Sequence, residues 1–124
     1  MNGTISAAQN MMTDKILIAI PVFNEKRYVQ RLLCEVLRYH DNLLIIDDGS
    51  DDGTEKILSQ FNSIDVITHK QNEGYGQSII DAFEFAKEHK AEWVVTMDCD
   101  FQHQPVKLKD FFKETNKSRA DIIS

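Results

Sequence analysis

Asp98 and Asp100 stand one residue apart at the end of a short apolar run, WVVTMDCDFQ, from Trp93 to Gln102. On an extended segment, side chains at i and i+2 point the same way, so the two carboxylates and Gln102 would present three oxygen-bearing groups on one side. Hard divalent cations take oxygen ligands, and Mg²⁺ in particular uses one or two carboxylates and completes its shell with phosphate oxygens and water. This spacing therefore offers a place to hold a metal that carries a phosphorylated ligand. An acidic pair after a strand also suits a solvated turn or a helix cap, so the reading depends on what the rest of the chain brings to the same place.

The elements that would position these acids alternate in type. Lys15 to Ile20, KILIAI, reads as a buried parallel strand closed by Pro21. Tyr28 to Tyr39 carries Val29, Leu32, Leu33, Val36 and Leu37 at helical spacing, with Cys34 expected in the core of that helix. Leu43 to Ile46 is a second strand ending at Asp47 and Asp48, followed by the turn-rich GSDDGT and a short helix with Ile57, Leu58 and Phe61. Ile64 to Thr68 is a third strand. After it come a loop with Asn72, Gly74 and Gly76 and a helix through about Lys90, with Ile79, Ile80, Phe83 and Ala86 expected inward. Trp93 to Met97 is the fourth strand, and Pro105 is placed to open a fourth helix with Leu108, Phe111 and Phe112 on its buried side. Asp121 to Ser124, DIIS, reads as the opening of a fifth strand. Strands alternating with helices give an α/β fold, a doubly wound, mostly parallel sheet with right-handed crossovers. Residues 1–13 are polar and aperiodic and read as a flexible leader, leaving 14–124 as one domain cut at its fifth strand and expected to be the front part of a longer protein. A strand edge exposed by that ending would favour self-association, a possible homo-oligomer.

In open α/β sheets, ligands bind beyond the C-terminal ends of the strands. Here four polar loops gather at that rim: Pro21 to Glu25, Asp47 to Thr54, Lys70 to Gly76 and Asp98 to Gln102. Rival motifs fail on spacing. Asp48, Ser50, Asp52 and Gly53 imitate a calcium-binding EF-hand loop, but the twelfth position is Ser59 where a bidentate Glu is required. Gly74 and Gly76 begin a GxGxxG whose third position is Ile79, and no dinucleotide fingerprint follows the first strand. A phosphoacceptor receiver domain would place its acid pair after the first strand, whereas here a strand and a helix precede it. His103 beside the acids is a further metal or phosphate ligand in principle, although a lone His more often simply hydrogen-bonds. His40, His69 and His89 lie at element ends and point to no catalytic role.

Composition narrows the function further. The 124 residues carry a formal net charge of −6, which argues against a nucleic-acid surface. Cys34 and Cys99 form neither a disulfide framework nor a metal-like pair. No run reaches the length of a membrane span.

Taken together, IPVFNE (Ile20 to Glu25), IIDDGSDDGT (Ile45 to Thr54), NEGYG (Asn72 to Gly76) and MDCDFQH (Met97 to His103) resemble the family 2 glycosyltransferases of the GT-A fold. The last motif is most similar to the branch of dolichol-phosphate mannosyltransferases and related polyprenyl-phosphate sugar transferases. The resemblance implies a nucleotide-sugar donor carrying GDP or UDP, a divalent Mg²⁺ or Mn²⁺, inverting transfer, and an acceptor such as a lipid phosphate. It also implies a cytoplasmic protein, or one peripheral at the cytosolic face of a membrane. By the same resemblance, Pro21, Phe23 and Glu25 would wall the nucleotide pocket and Ile46 and Asp48 would contact base and ribose. Asp98, Cys99 and Asp100 would lie along the diphosphate and sugar, with Asp98 and Asp100 catalytic and Asp98, Asp100 and Gln102 around the metal. Phe23 replaces the family's usual Tyr, Cys99 a small residue, and Gln104 the first Pro of QHPP. A non-catalytic nucleotide-binding or interaction module of the same fold is the alternative.

Overall fold

The computed structural model describes residues 15–99 and the two residues of a last strand, 122–123. In chain order the elements are β1 (Ile16–Val22), α1 (Lys26–Leu37), β2 (Leu43–Asp47), α2 (Thr54–Leu58), β3 (Asp65–Thr68), α3 (Tyr75–Glu88), β4 (Trp93–Thr96) and β5 (Ile122–Ile123). They form one sheet in the order β3-β2-β1-β4-β5, with every pairing parallel. The expected fold class is what the chain adopts. The leader, Asp100, Gln102, His103 and the fourth helix expected from Pro105 lie outside the described residues.

The central strands are mainly apolar, and only Asp47 and Thr96 at the ends of β2 and β4 are polar, because both of their faces are covered. Alternation sorts their side chains. Ile16, Ile18, Ile20 and Val22 of β1, with Leu43 and Ile45 of β2 and Trp93 and Val95 of β4, pack on Val29, Leu32, Leu33 and Val36 of α1 and Leu58 of α2. Leu17 and Ala19 of β1, with Leu44, Ile46 and Val94, pack on the opposite side against Ala82 and Ala86 of α3. The buried positions of α1 recur at i, i+3, i+4 and i+7, a single stripe toward the sheet. Helices on both faces make the sheet doubly wound. Because the chain leaves β1 toward β2 on one side and reaches β4 on the other, the strand order reverses at β1 and β4, where such sheets open a crevice at their C-terminal ends.

Three sequence expectations are corrected. Pro21 does not close β1: it pairs with Ile46 and the strand runs on to Val22. The proline is tolerated because the pairing of β1 with β4 ends at Ala19, so one side of the strand asks for no N–H there. Cys34 is exposed, one position past the stripe of α1. In α3 the inward positions are Ser78, Ala82 and Ala86, while Ile80 and Phe83 are exposed. Small residues let this helix lie close on the sheet, with Phe85 half-buried against the same core and Ile80 and Phe83 turned outward.

These placements separate two neighbouring positions of α1. Leu33→Ala, which empties a fully buried site, is expected to lower unfolding free energy by about 2–5 kcal/mol. Cys34→Ser, on the exposed side, should stay within about 0.5 kcal/mol of the parent. Urea denaturation of both variants measures the difference.

Candidate functional site

The loops after β1 and β2 are bound to each other before they are bound to anything else. Asn24 N–H donates to Ser50 Oγ at 2.9 Å, Asp51 N–H returns a bond to Asn24 Oδ1 at 2.9 Å, and Lys26 N–H donates to Asp52 Oδ2 at 3.0 Å. Asp52 Oδ1 also receives Thr54 N–H and the Thr54 hydroxyl, and Asp47 Oδ1 receives Ser50 N–H. Burial would raise the Asp52 carboxyl, but the bonds from the Thr54 hydroxyl and from the Lys26 and Thr54 amides outweigh it and hold it below the usual carboxylate value. Small polar side chains that bond to nearby backbone are the residues that fold such turns. The polar run Ser50 to Thr54 thus shapes the rim, and Asn24, at φ 52°, takes a left-handed turn that its short amide tolerates.

Gly49 shows how closely the next loop approaches. Its φ is +78°, and a Cβ built on it would meet the backbone of Gln71 at 2.4 Å and of Asn72 at 2.5 Å. Only glycine lets the β2 loop pass this near the β3–α3 loop.

That approach carries Asp48 to the N-terminal end of α3. Leu44, Ile46 and Asp48 follow one another on the α3 side of β2, the first two in the core and the third just past the strand. Asp48 Oδ1 accepts Glu73 N–H at 2.7 Å and Oδ2 accepts Gly74 N–H at 3.0 Å. His69, which follows β3, donates from Nδ1 to Asp48 Oδ1 at 2.8 Å, and its Nε2 meets Asp81 Oδ2 of α3 at 2.5 Å. Gln77 Nε2 donates to the other oxygen of Asp81 at 3.0 Å. Burial would raise the Asp48 carboxyl, yet the bonds from Glu73, His69 and Gly74 together bring it below its ordinary value of 3.8. Burial would equally lower His69, and the bonds to Asp48 and Asp81, with the charges of Glu73 and Asp81, raise it above 6.5. The positive end of the α3 dipole adds to the same preference for a carboxylate at this point.

Over this cluster opens a cavity of about 260 Å³ lined by Pro21, Val22, Phe23 and Glu25 from one side, Asp48 below, and Asn72, Gly74, Tyr75 and Ser78 from the other. Phe23 and Tyr75 keep 46% and 59% of their surface exposed, an aromatic on each lip. The structure therefore brings together Pro21, Phe23, Glu25 and Asp48 of the residues expected from sequence. Ile46 is fully buried in the α3-side core and does not line the cavity. Asp98 is half-buried just past β4, and the Cys99 side chain is buried in the cluster on the α1 side; neither lines this cavity. Asp100 and Gln102 lie outside the described residues. Among the described residues no group of three His, Cys, Asp or Glu side chains could hold a metal ion. His69 and Asp81 escaped the sequence reading; the available signal was a histidine directly after a strand, at the rim where the polar loops gather. Among the described residues no helix is long and apolar enough to cross a membrane.

The family model described as glycosyl transferase family 2 matches residues 17–124. A UDP-N-acetylglucosamine–dolichyl-phosphate N-acetylglucosaminyltransferase of Methanococcus voltae is 32% identical over 112 residues, covering 76% of this chain and 45% of the relative. An undecaprenyl-phosphate 4-deoxy-4-formamido-L-arabinose transferase of Proteus mirabilis is 32% identical over 106 residues, covering 77% and 32%. An uncharacterized protein of Methanocaldococcus jannaschii is 27% identical over 114 residues, covering 87% and 50%. The chain thus spans half or less of the length of these relatives.

The charged cluster sets a pH window for stability. His69, raised above 6.5, contributes stability fully present below 6.5 and lost as pH rises through its folded value; Asp48, lowered below 3.8, contributes stability present above 3.8 and lost as pH falls through its folded value. The urea midpoint should therefore be highest between these values and decline on raising pH from about 6 to about 9. In His69→Asn that alkaline decline should flatten, which parallel denaturation series at several pH values would measure.

Proposed function

Because the chain belongs to glycosyl transferase family 2, we propose that the cavity over Asp48 receives the nucleotide of a nucleoside-diphosphate sugar, the donor for transfer to an acceptor such as a polyprenyl phosphate. The observation that carries the reading is Asp48 itself, a buried carboxylate anchored by two backbone amides and one imidazole at the floor of an open cavity. A carboxylate offers about four acceptor positions. Two on Oδ1 and one on Oδ2 are filled from within the protein, so one position on Oδ2 is left for a single ligand donor, a base N–H or a ribose O–H. Phe23 and Tyr75 supply flat apolar surfaces on either side, suited to a planar base. The similarity to transferases named for dolichyl-phosphate and undecaprenyl-phosphate supports a lipid-phosphate acceptor.

The transfer itself exchanges one bond for another at the anomeric carbon. The bond to the nucleoside diphosphate breaks, a bond to an acceptor phosphate oxygen forms, and attack from the opposite face inverts the centre. An acceptor that is already an anion needs little help from a general base. Asp98, with oxygen donors at the C-terminal end of β4, fits a hard divalent ion, and Asp100 and Gln102 would complete the set. Mg²⁺ or Mn²⁺ bound there supplies positive charge to the leaving diphosphate.

Calorimetric titration of the chain with UDP and GDP, each with Mn²⁺ and with EDTA, tests the reading. Metal-dependent binding of one nucleotide is expected. Asp48→Ala should weaken it by about 10- to 100-fold with or without metal, the cost of a hydrogen bond to a charged group, while Asp100→Ala should remove only the metal-dependent part. Failure of both nucleotides to bind under every condition would overturn the assignment.

A further inference from the structure

We propose that His69 is the positioning residue of the nucleotide site: held between Asp48 and Asp81, its doubly protonated ring keeps one Asp48 acceptor position aimed into the cavity and makes nucleotide affinity fall as the ring loses its proton. The proposal rests on the reading of Asp48 as a nucleotide contact. It assigns no reacting atom to His69, whose ring lies beneath the cavity and does not line it.

The geometry asks for an imidazolium. Nδ1 lies 2.8 Å from Asp48 Oδ1 and Nε2 lies 2.5 Å from Asp81 Oδ2, so each ring nitrogen faces a carboxylate oxygen. A neutral imidazole has one N–H and one lone pair. After deprotonation one of the two contacts would set lone pair against lone pair, and the ring must release Asp48 or Asp81. The titratable groups facing the ring come from three elements: Asp48 at the end of β2, Glu73 at 3.9 Å in the loop before α3, and Asp81 in α3. All are acidic, so each favours the protonated ring. The side chain is only 7% exposed, so water offers little compensation once the proton leaves. The backbone fixes it as well, since His69 N–H donates to Asp47 carbonyl at 2.9 Å, next to the residue it orients.

Two consequences follow for a ligand. Loss of the proton removes a positive charge beneath a site that receives a nucleoside diphosphate, and where the neutral ring keeps its N–H on Asp81 it also withdraws one of the three donors that orient the Asp48 carboxylate. Both weaken binding, in the same direction. Asp48 and then Asp81 favour the protonated ring, and Asp81, half-buried on α3 and braced by Gln77, does so without touching the cavity.

The test is titration of the full chain with UDP and GDP in Mn²⁺ between about pH 6 and 9, comparing the parent with Asp81→Asn and His69→Asn. Each variant is read as its affinity ratio to the parent at the same pH, which cancels titration of the nucleotide. In Asp81→Asn the amide oxygen still accepts from Nε2–H, so the ring stays in place but loses an anionic partner. Its ratio should be near one at the acid end and fall about tenfold at intermediate pH, because its decline begins earlier than the parent's. His69→Asn should bind about tenfold more weakly at the acid end and converge on the parent at the alkaline end. If the parent binds nucleotide and Asp81→Asn follows it at every pH, the proposal is overturned while the nucleotide site stands. If the parent binds neither nucleotide at any pH, the site reading falls and the proposal falls with it. Should His69→Asn fail to fold, shown by loss of its circular dichroism signal, Asp81→Asn alone decides.

Discussion

The carboxylate of Asp48 is the point on which the rim of this sheet depends. It sits at the end of β2, beyond the last core residue on its side, and three donors from two other stretches of chain converge on it. Removing such a group would leave two backbone amides and the Nδ1 of a buried ring without their acceptor, each costing about 1–3 kcal/mol. The loop between β3 and α3, the start of α3 and the end of β2 are therefore held in one geometry by a single side chain. Gly49 makes this possible, since any side chain there would push the β2 loop off the backbone of Gln71.

The second half of the rim has side-chain bonds of its own. Asn24, Ser50, Asp51 and Asp52 exchange bonds between the β1 and β2 loops, so the wall carrying Phe23 and Glu25 is set by side-chain contacts that do not involve the Asp48 carboxylate, while the Asp48 backbone N–H ties it to the Val22 carbonyl at 2.8 Å. A rim built from two side-chain networks can be rigid on both sides of a cavity and still leave the space between them open. Below both lies a sheet whose central strands are buried on each face, and the rigidity of that core is what lets loops carry a site.

The alternation of apolar strands and amphipathic stretches made the doubly wound sheet legible from residue order alone, and the turn chemistry of GSDDGT located the rim. Other features depend on distances that residue order does not contain. The inward face of α3 was misjudged because it is made of Ser78, Ala82 and Ala86, small residues chosen for close approach, whereas Ile80 and Phe83 carry more hydrophobicity and lie outside. Pro21 reads as a strand end unless one knows that β4 stops short beside it. His69 looked like an ordinary element end because its two partners lie 21 and 12 residues away and come from a strand end and a helix. Strand alternation places the Ile46 side chain in the core and leaves the next residue on that side, Asp48, at the cavity.

Counting acceptor positions then separates acids that sequence treats alike. Asp47, Asp48 and Asp52 are all carboxylates within one turn-rich stretch, and any of them could be read as a ligand group. Asp52 spends both oxygens on Lys26 and Thr54, inside its own turn. Asp47 is buried, accepts Ser50 N–H and does not border the cavity. Asp48 alone of the three borders it, and its neighbours fill all but one of its acceptor positions. A carboxylate with no internal donors would swing freely and select poorly, and one fully occupied could bind nothing. Held by three donors with a fourth position open, it accepts one ligand donor from one direction, which is how a flexible acidic side chain becomes a specific contact.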